Sequence, residues 1–269
     1  MKPVIEMDHV RFGYASGCDL MNDLTFAVEP GVFVGLIGPN GSGKTTLLRL
    51  LTGLLRPQAG RVRIAGLPVE SYTRAALAAK AAVVSQDPVV PLGFSVAETV
   101  LMARTARLGQ RVFAGPKDQD VVRRCLAMTD TSHLADRPLS RLSGGERQRV
   151  FIARALAQET EIILLDEPTT FLDLRHQVEA YDLLKGVQIE SGKTILAITH
   201  DLNLASRYCD LVLVLAGGPP AADRGQGLLF GPPQEVLTRE RIEQVFGVQV
   251  AAGLVGGQTV FVPKARHQS

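Results

Sequence analysis

The strongest constraint on the fold is one eight-residue segment, Gly38-Pro39-Asn40-Gly41-Ser42-Gly43-Lys44-Thr45, set between an apolar run and a helix-patterned one. Residues 32–37 are apolar and rich in branched side chains, and the run stops at Gly38. From Thr46 onward the leucines fall at helical spacing, and Arg56-Pro57 is expected to end that helix because proline cannot continue one. Strand, glycine-rich turn and helix in this order fit the phosphate-loop pattern. The glycines let backbone N–H groups turn inward without a Cβ in the way. A helix starting at Lys44 aims its positive dipole end at the same point. Gly38, Asn40, Gly41, Ser42, Gly43, Lys44, Thr45 and Thr46 are therefore expected to hold a nucleoside triphosphate. Lys44 reaches the β- and γ-phosphates and the Thr45 hydroxyl ligates Mg²⁺.

Other segments place this motif in an α/β chain. Ala81–Val84, Ile162–Leu165, Thr194–Ile198 and Leu211–Leu215 are short apolar runs, as expected of strands covered on both faces of a parallel sheet. Residues 61–65 alternate with period two and read as a half-exposed strand. Helical patterns cover 96–108, 118–128, 146–158 and Leu174–Ser191. Strands alternating with helices predict an α/β core with a mostly parallel sheet. The stretch 87–157 shows no clear strand and reads as a helical insertion, while 217–233, with its glycines and prolines, reads as a loop-rich connection.

Composition removes several function classes. Charge nearly cancels at +2, so no strong field draws the chain to nucleic acid or acidic lipid. With 46% hydrophobic residues and 21% charged, a sizeable core is expected rather than disorder. Aromatics are 5% with no tryptophan, which disfavours a stacking platform for single strands. Cys18, Cys125 and Cys209 lie far apart without metal-ligand spacing and suit a reducing compartment as incidental or buried thiols. Charges interrupt the N-terminal apolar residues, so no secretory signal is read there, and no run approaches the ~18 apolar residues that span a bilayer. The expectation is a soluble, cytosolic chain.

Two further constellations carry chemistry. The run Ile162–Leu165 ends in Asp166-Glu167, two adjacent carboxylates at a buried strand end. Asp166 is expected to hold Mg²⁺ and Glu167 to polarise a water for attack on the γ-phosphate. Far along the chain from the phosphate loop, Leu142-Ser143-Gly144-Gly145-Glu146 opens a helix and forms a second anion-binding N-terminus.

Taken together with His200, these motifs closely resemble the signature of ATP-binding cassette (ABC) ATPases. The resemblance runs from Tyr14 to His200 and implies a P-loop NTPase core of RecA type with a mostly parallel sheet. It also implies an antiparallel β subdomain, an inserted helical subdomain at about 88–157 and a short C-terminal segment at about 232–269, all within one nucleotide-binding domain spanning 1–269. By resemblance, Tyr14 stacks on adenine, and Gln86 senses Mg²⁺ and the attacking water. Likewise Asp173 crosses a dimer interface, and His200 contacts the γ-phosphate. In this family Ser143, Gly144 and Gly145 of one subunit cover the ATP held by the phosphate loop of another. A homodimer sandwiching two ATP molecules is implied, with Glu167, His200, Gln86 and Lys44 as the catalytic set.

Residues 168–184, 199–210 and 231–248 further resemble the branch that powers import of iron–siderophore complexes, haem and cobalamin. That implies two membrane permease subunits as partners, indirectly a substrate-binding protein, no nucleic acid, and a peripheral location on the cytoplasmic side of the membrane. The segment after Phe94 lacks the Gly-Arg-Tyr/Phe-Pro of many siderophore members, and Phe94-Ser95-Val96 resembles haem-type ones. The competing readings are the ATPase subunit of an ABC exporter and a soluble ABC protein acting on nucleic acid.

Overall fold

Strand β1 (Ile5–Phe12) buries Ile5, Met7, Val10 and Phe12 and exposes residues between them, the alternation of a strand with one face on a core. The charges that interrupt the N-terminal apolar residues fall at its less buried positions. The computed structural model describes residues 2–14, 19–86, 88, 93–107, 113–170, 172–216 and 228–264. They divide into two units, Met1–Ser71 with Leu196–Ser269, and Tyr72–Ile195.

In the first unit β1 pairs antiparallel with β2 (Met21–Val28) on one side. β3 (Phe33–Ile37) is buried at all five positions, and α1 (Lys44–Leu51) follows the glycine-rich turn. The helix stops well before Pro57: Thr52 is its C-cap and Gly53, at φ 67°, takes the left-handed conformation that terminates it. β4 (Ala59–Ile64) pairs antiparallel with β1 and with β5 (Leu67–Pro68), giving a separate antiparallel sheet in the order β2-β1-β4-β5.

The second unit opens with α2 (Arg74–Ala78), capped by the Thr73 hydroxyl, and β6 (Ala81–Val84). Three helices follow: α3 (Val96–Leu101), α4 (Pro116–Met128) and α5 (Gly144–Ala157). The helix expected over 96–108 is shorter, because from Met102 to Arg107 the chain tightens into a 3-10 turn that carries Arg104 into a buried ion pair with Asp118. β7 (Ile162–Leu165) is buried throughout and runs parallel to β6, Ala81 opposite Ile162 and Val84 opposite Leu165. α6 (Leu174–Ser191) ends this part of the chain.

The unit boundary falls within β8 (Thr194–Ile198), buried at every position. α7 (Leu202–Tyr208) is capped by Asp201, and β9 (Leu211–Leu215) runs parallel to β3. β10 (Leu228–Gly231) pairs antiparallel with β9, so the end of the expected loop 217–233 is strand, while 217–227 lie outside the described residues. α8 (Pro233–Val236), α9 (Arg239–Phe246) and the hairpin of β11 (Val250–Val255) and β12 (Gln258–Pro263) complete the chain. Asn203 holds the hairpin by donating to the Phe261 carbonyl and accepting from its N–H at 2.8 Å. The fold is α/β with parallel core pairings and a distinct antiparallel sheet. Among the described residues no helix is long and apolar enough to cross a membrane. Cys125 and Cys209 are buried, and Cys18 lies outside the described residues.

Candidate functional site

The glycine-rich turn lies in the first unit, between β3 and α1. A Cβ at Gly38 would sit 2.4 Å from the Leu215 carbonyl oxygen and 2.6 Å from Ser42 Oγ, so only glycine lets the loop leave β3 alongside β9. Ser42 N donates to Pro39 O, curling the turn, and Gly43 at φ 99° hands the chain to α1. Lys44 is buried, and its ammonium donates to the carbonyls of Gly38 at 2.8 Å and Pro39 at 3.0 Å. The cation is thus held over the loop, where an anion would meet it. Ser42 Oγ is buried without a hydrogen-bond partner among the described residues, while Asn40, Gly41 and Thr45 are exposed. A cradle that a Cβ would fill, a centred ammonium and the N–H groups of a helix start fit a polyphosphate.

Tyr14 stands beside this turn with its ring 63% exposed. Its hydroxyl lies 3.0 Å from Thr46 Oγ1 and accepts from Arg49, and Phe12 meets the ring edge-on at 5.1 Å. The buried Thr46 hydroxyl is therefore engaged by the tyrosine. His200 is exposed just beyond the end of β8, where Thr199 N donates to Leu36 O of β3.

The paired carboxylates belong to the second unit. Asp166 N donates to Val84 O at 2.9 Å, carrying the β6–β7 ladder one step past β7, and both acids are half-buried there. Glu167 has φ 51°, a left-handed conformation that costs a non-glycine residue about 1–2 kcal/mol. Its carboxylate accepts from Gln86 Nε2 at 2.9 Å and from the Thr170 hydroxyl at 2.8 Å. A strained backbone whose carboxylate is fixed by two donors makes Glu167 a candidate functional group. Gln86 and Glu167 line a cavity of about 80 Å³ shared with Gly144, Gln148 and Thr170.

The Ser-Gly-Gly turn starts α5 through a capping box: Ser143 Oγ accepts from Glu146 N, and the Glu146 carboxylate accepts from Ser143 N and Oγ at 2.8 Å. Those hydrogen bonds hold the Glu146 pKa below its ordinary value. Asp173 caps α6 by accepting from His176 N at 2.9 Å, and this bond lowers its pKa in turn. Gly145 faces His176, whose Cδ2 would lie 2.5 Å from a Cβ there.

Each sequence-predicted residue among the described ones thus falls on a turn, a strand end or the first turn of a helix. Tyr14, the glycine-rich turn and His200 lie in the first unit, and Gln86, Asp166, Glu167, the Ser-Gly-Gly turn and Asp173 in the second. Thr170 and His176 carry no sequence signal: Thr170 bonds Glu167 and His176 bonds Asp173, each three residues along the chain, and the fold brings the His176 ring to Gly145. The arginines of the helix pattern at 146–158 read from sequence as mostly a solvated face. Arg149 instead donates to Glu179 on α6 at 3.2 Å with its side chain only 22% exposed. A separate groove of about 610 Å³ in the second unit is lined by Val83, Val84, Pro88, Met102, Ala106 and Phe151, among others.

Residues 21–170 match the family model described as ABC transporter. The ferric enterobactin transport ATP-binding protein of Escherichia coli (strain K12) is 38% identical over 263 residues, covering 96% of this chain and 93% of its own. The cobalamin import ATP-binding protein of Halobacterium salinarum (strain ATCC 29341 / DSM 671 / R1) is 40% identical over 238 residues, 88% of this chain; the chain spans only 58% of that relative's length. Among solved structures, an inward-facing putative metal-chelate type ABC transporter superposes with a TM-score of 0.83 at 29% identity, covering 98% of both chains.

Proposed function

Since the chain belongs to the ABC transporter family, we propose that it binds and hydrolyses ATP as the energising subunit of an importer for iron–siderophore, haem or cobalamin. The observation that carries this reading is Glu167, held in a strained conformation at a strand end with Gln86 and Thr170 on its carboxylate. A carboxylate so fixed is suited to taking a proton from an attacking water. Residues 1–269 then form one nucleotide-binding domain, with a helical subdomain at 88–157 and a C-terminal segment at 232–269.

Lys44 exchanges the carbonyls of Gly38 and Pro39 for β- and γ-phosphate oxygens. The backbone of Asn40 to Thr46 cradles the same phosphates, and the exposed face of Tyr14 receives the adenine. Mg²⁺, held by Thr45, Asp166 and Gln86, would supply charge neutralisation on those oxygens. Glu167 is the base, Gln86 sets its position, and His200 donates to the γ-phosphate. Ser143, Gly144 and Gly145 offer their helix start to ATP on a second copy, and Asp173 crosses at the same interface. ATP thereby joins two copies, and loss of the γ-phosphate contacts lets them part.

The groove lined by Val83, Met102 and Phe151 receives a helix from one permease subunit, so that two copies of the chain serve two permease subunits. A substrate-binding protein joins only through the permease. The chain itself sits peripherally on the cytoplasmic face, and with a net charge of +2 it has no nucleic-acid partner.

The test is size-exclusion with light scattering on Glu167→Gln, alongside ATP turnover of the unmodified chain. The expected result is turnover by the unmodified chain, loss of turnover in Glu167→Gln, and a shift from monomer to dimer when Mg-ATP is added. Undiminished turnover in Glu167→Gln would remove Glu167 as base. Absence of any ATP binding would overturn the whole reading.

A further inference from the structure

We propose that His176 is a positioning residue that joins the Ser143–Gly145 turn and Asp173 into one mechanical block within a subunit. The inference rests on the functional reading above for its consequence, though the contact itself does not.

The imidazole is pinned from both sides. On one, Asp173 Oδ1 lies 2.7 Å from Nδ1 and also accepts the His176 backbone N–H at 2.9 Å. An ionised carboxylate only accepts, so Nδ1 carries the proton and the ring orientation is set. On the other side lies Gly145, which is buried. A Cβ there would stand 2.5 Å from His176 Cδ2, 2.9 Å from Cγ and 3.1 Å from Nε2, so the ring edge rests against the glycine backbone. Leu172 makes the neighbouring contact, its Cδ2 being 3.6 Å from a Cβ placed on Gly144. One turn further along both helices the same faces meet again: Arg149 donates to Glu179 at 3.2 Å, and Arg175 donates to the other oxygen of that carboxylate at 2.8 Å. Gly145 with Arg149, and His176 with Glu179, are the spacings that place residues on one helix face.

Gly145 is therefore excluded from carrying a side chain by its own subunit, before any nucleotide approaches. A displacement of Asp173 as a second copy docks passes through the imidazole to the start of α5. Since that helix start would cover the second copy's ATP, the two ATP sites become coupled.

The test uses the full chain and four variants: His176→Ala, His176→Asn, Gly145→Ala and the double variant Gly145→Ala/His176→Ala. Asparagine keeps a donor near the Nδ1 position. His176→Ala is expected to lower kcat about tenfold and to bring the Hill coefficient for ATP down to one. KM and the binding of a fluorescent ATP analogue to the monomer stay within about twofold. His176→Asn should retain kcat within about threefold. Gly145→Ala should lose stability in urea, and removing the ring in the double variant should recover at least half of that loss. A double variant no more stable than Gly145→Ala, or His176→Ala with kcat and Hill coefficient unchanged, overturns the proposal. The urea comparison needs no ATP: a chain that hydrolyses nothing but shows the recovery refutes the ATPase reading and leaves the block standing.

Discussion

Replacing Arg104 by alanine should destabilise the second unit more than any surface charge change. Arg104 is 8% exposed and Asp118 1%. The guanidinium donates to Asp118 Oδ1 at 3.0 Å, to the Ala157 carbonyl at 2.7 Å and to Glu159 Oε2 at 2.7 Å. It thereby ties the 3-10 turn at Met102–Arg107 to the start of α4 and to the end of α5. Burial works against the charged guanidinium, yet its bonds to Glu159 and Asp118 outweigh that, and its pKa is raised. Truncation leaves Asp118 as a buried carboxylate without its counter-ion, and breaking a buried pair in this way costs about 3–5 kcal/mol. The Glu159 half adds little, because that side chain is 43% exposed. A loss of about 4 kcal/mol corresponds to a fall in Tm of roughly 8–16 °C for a chain of this size. Arg104→Lys keeps the charge but loses the planar fork, and should cost roughly half as much. The control is Arg123→Ala, whose i,i+3 pair with Asp120 is 71% and 56% exposed and should matter by under ~0.5 kcal/mol. The chain has no tryptophan, so urea unfolding is followed by far-ultraviolet circular dichroism. If Arg104→Ala unfolds at the same urea concentration as Arg123→Ala, the cluster is solvated and the reasoning fails.

Three other outcomes are expected. Gly38→Ala places a methyl group 2.4 Å from the Leu215 carbonyl oxygen, so it should cost about 1–3 kcal/mol and weaken ATP binding, read by thermal unfolding and nucleotide titration. The capping box at Ser143 depresses the Glu146 pKa in the fold; its stabilisation is complete above the ordinary carboxylate value and is lost as pH falls through the lower folded one. Glu146→Gln should flatten that acid limb relative to the unmodified chain, and identical acid unfolding curves would contradict it. Burial pushes the Cys125 thiol up to about 11, so iodoacetamide at pH 8 should label its peptide only after denaturation, as mass spectrometry would show.

Much of the site was legible in the sequence because its chemistry lies in contiguous residues. The phosphate loop, Asp166-Glu167 and the Ser-Gly-Gly turn each occupy a few adjacent positions whose backbone course is local. The strands β3, β7 and β8 were equally legible: continuous apolar runs signal burial on both faces. Of the antiparallel sheet, which the resemblance implies, only the strand at 61–65 was legible by its alternation, because bulges in the pairing of β1 and β2 break theirs. Helix α1 ended at Gly53 and not at Pro57, since a left-handed glycine closes a helix at once while a proline only forbids what comes after it.

What the sequence by itself determined is which groups are available: a lysine in a glycine-rich turn, two acids after a buried strand, and a capped helix start. Tertiary structure decided how those groups are held. Gln86 on the Glu167 carboxylate, Arg149 on Glu179, and the His176 ring against Gly145 join residues brought together only by the packing of helices and strands. Local patterns encode backbone conformation because they act within a turn or two of chain. A hydrogen bond across tens of residues depends on where whole elements come to rest, and no short stretch of sequence carries that.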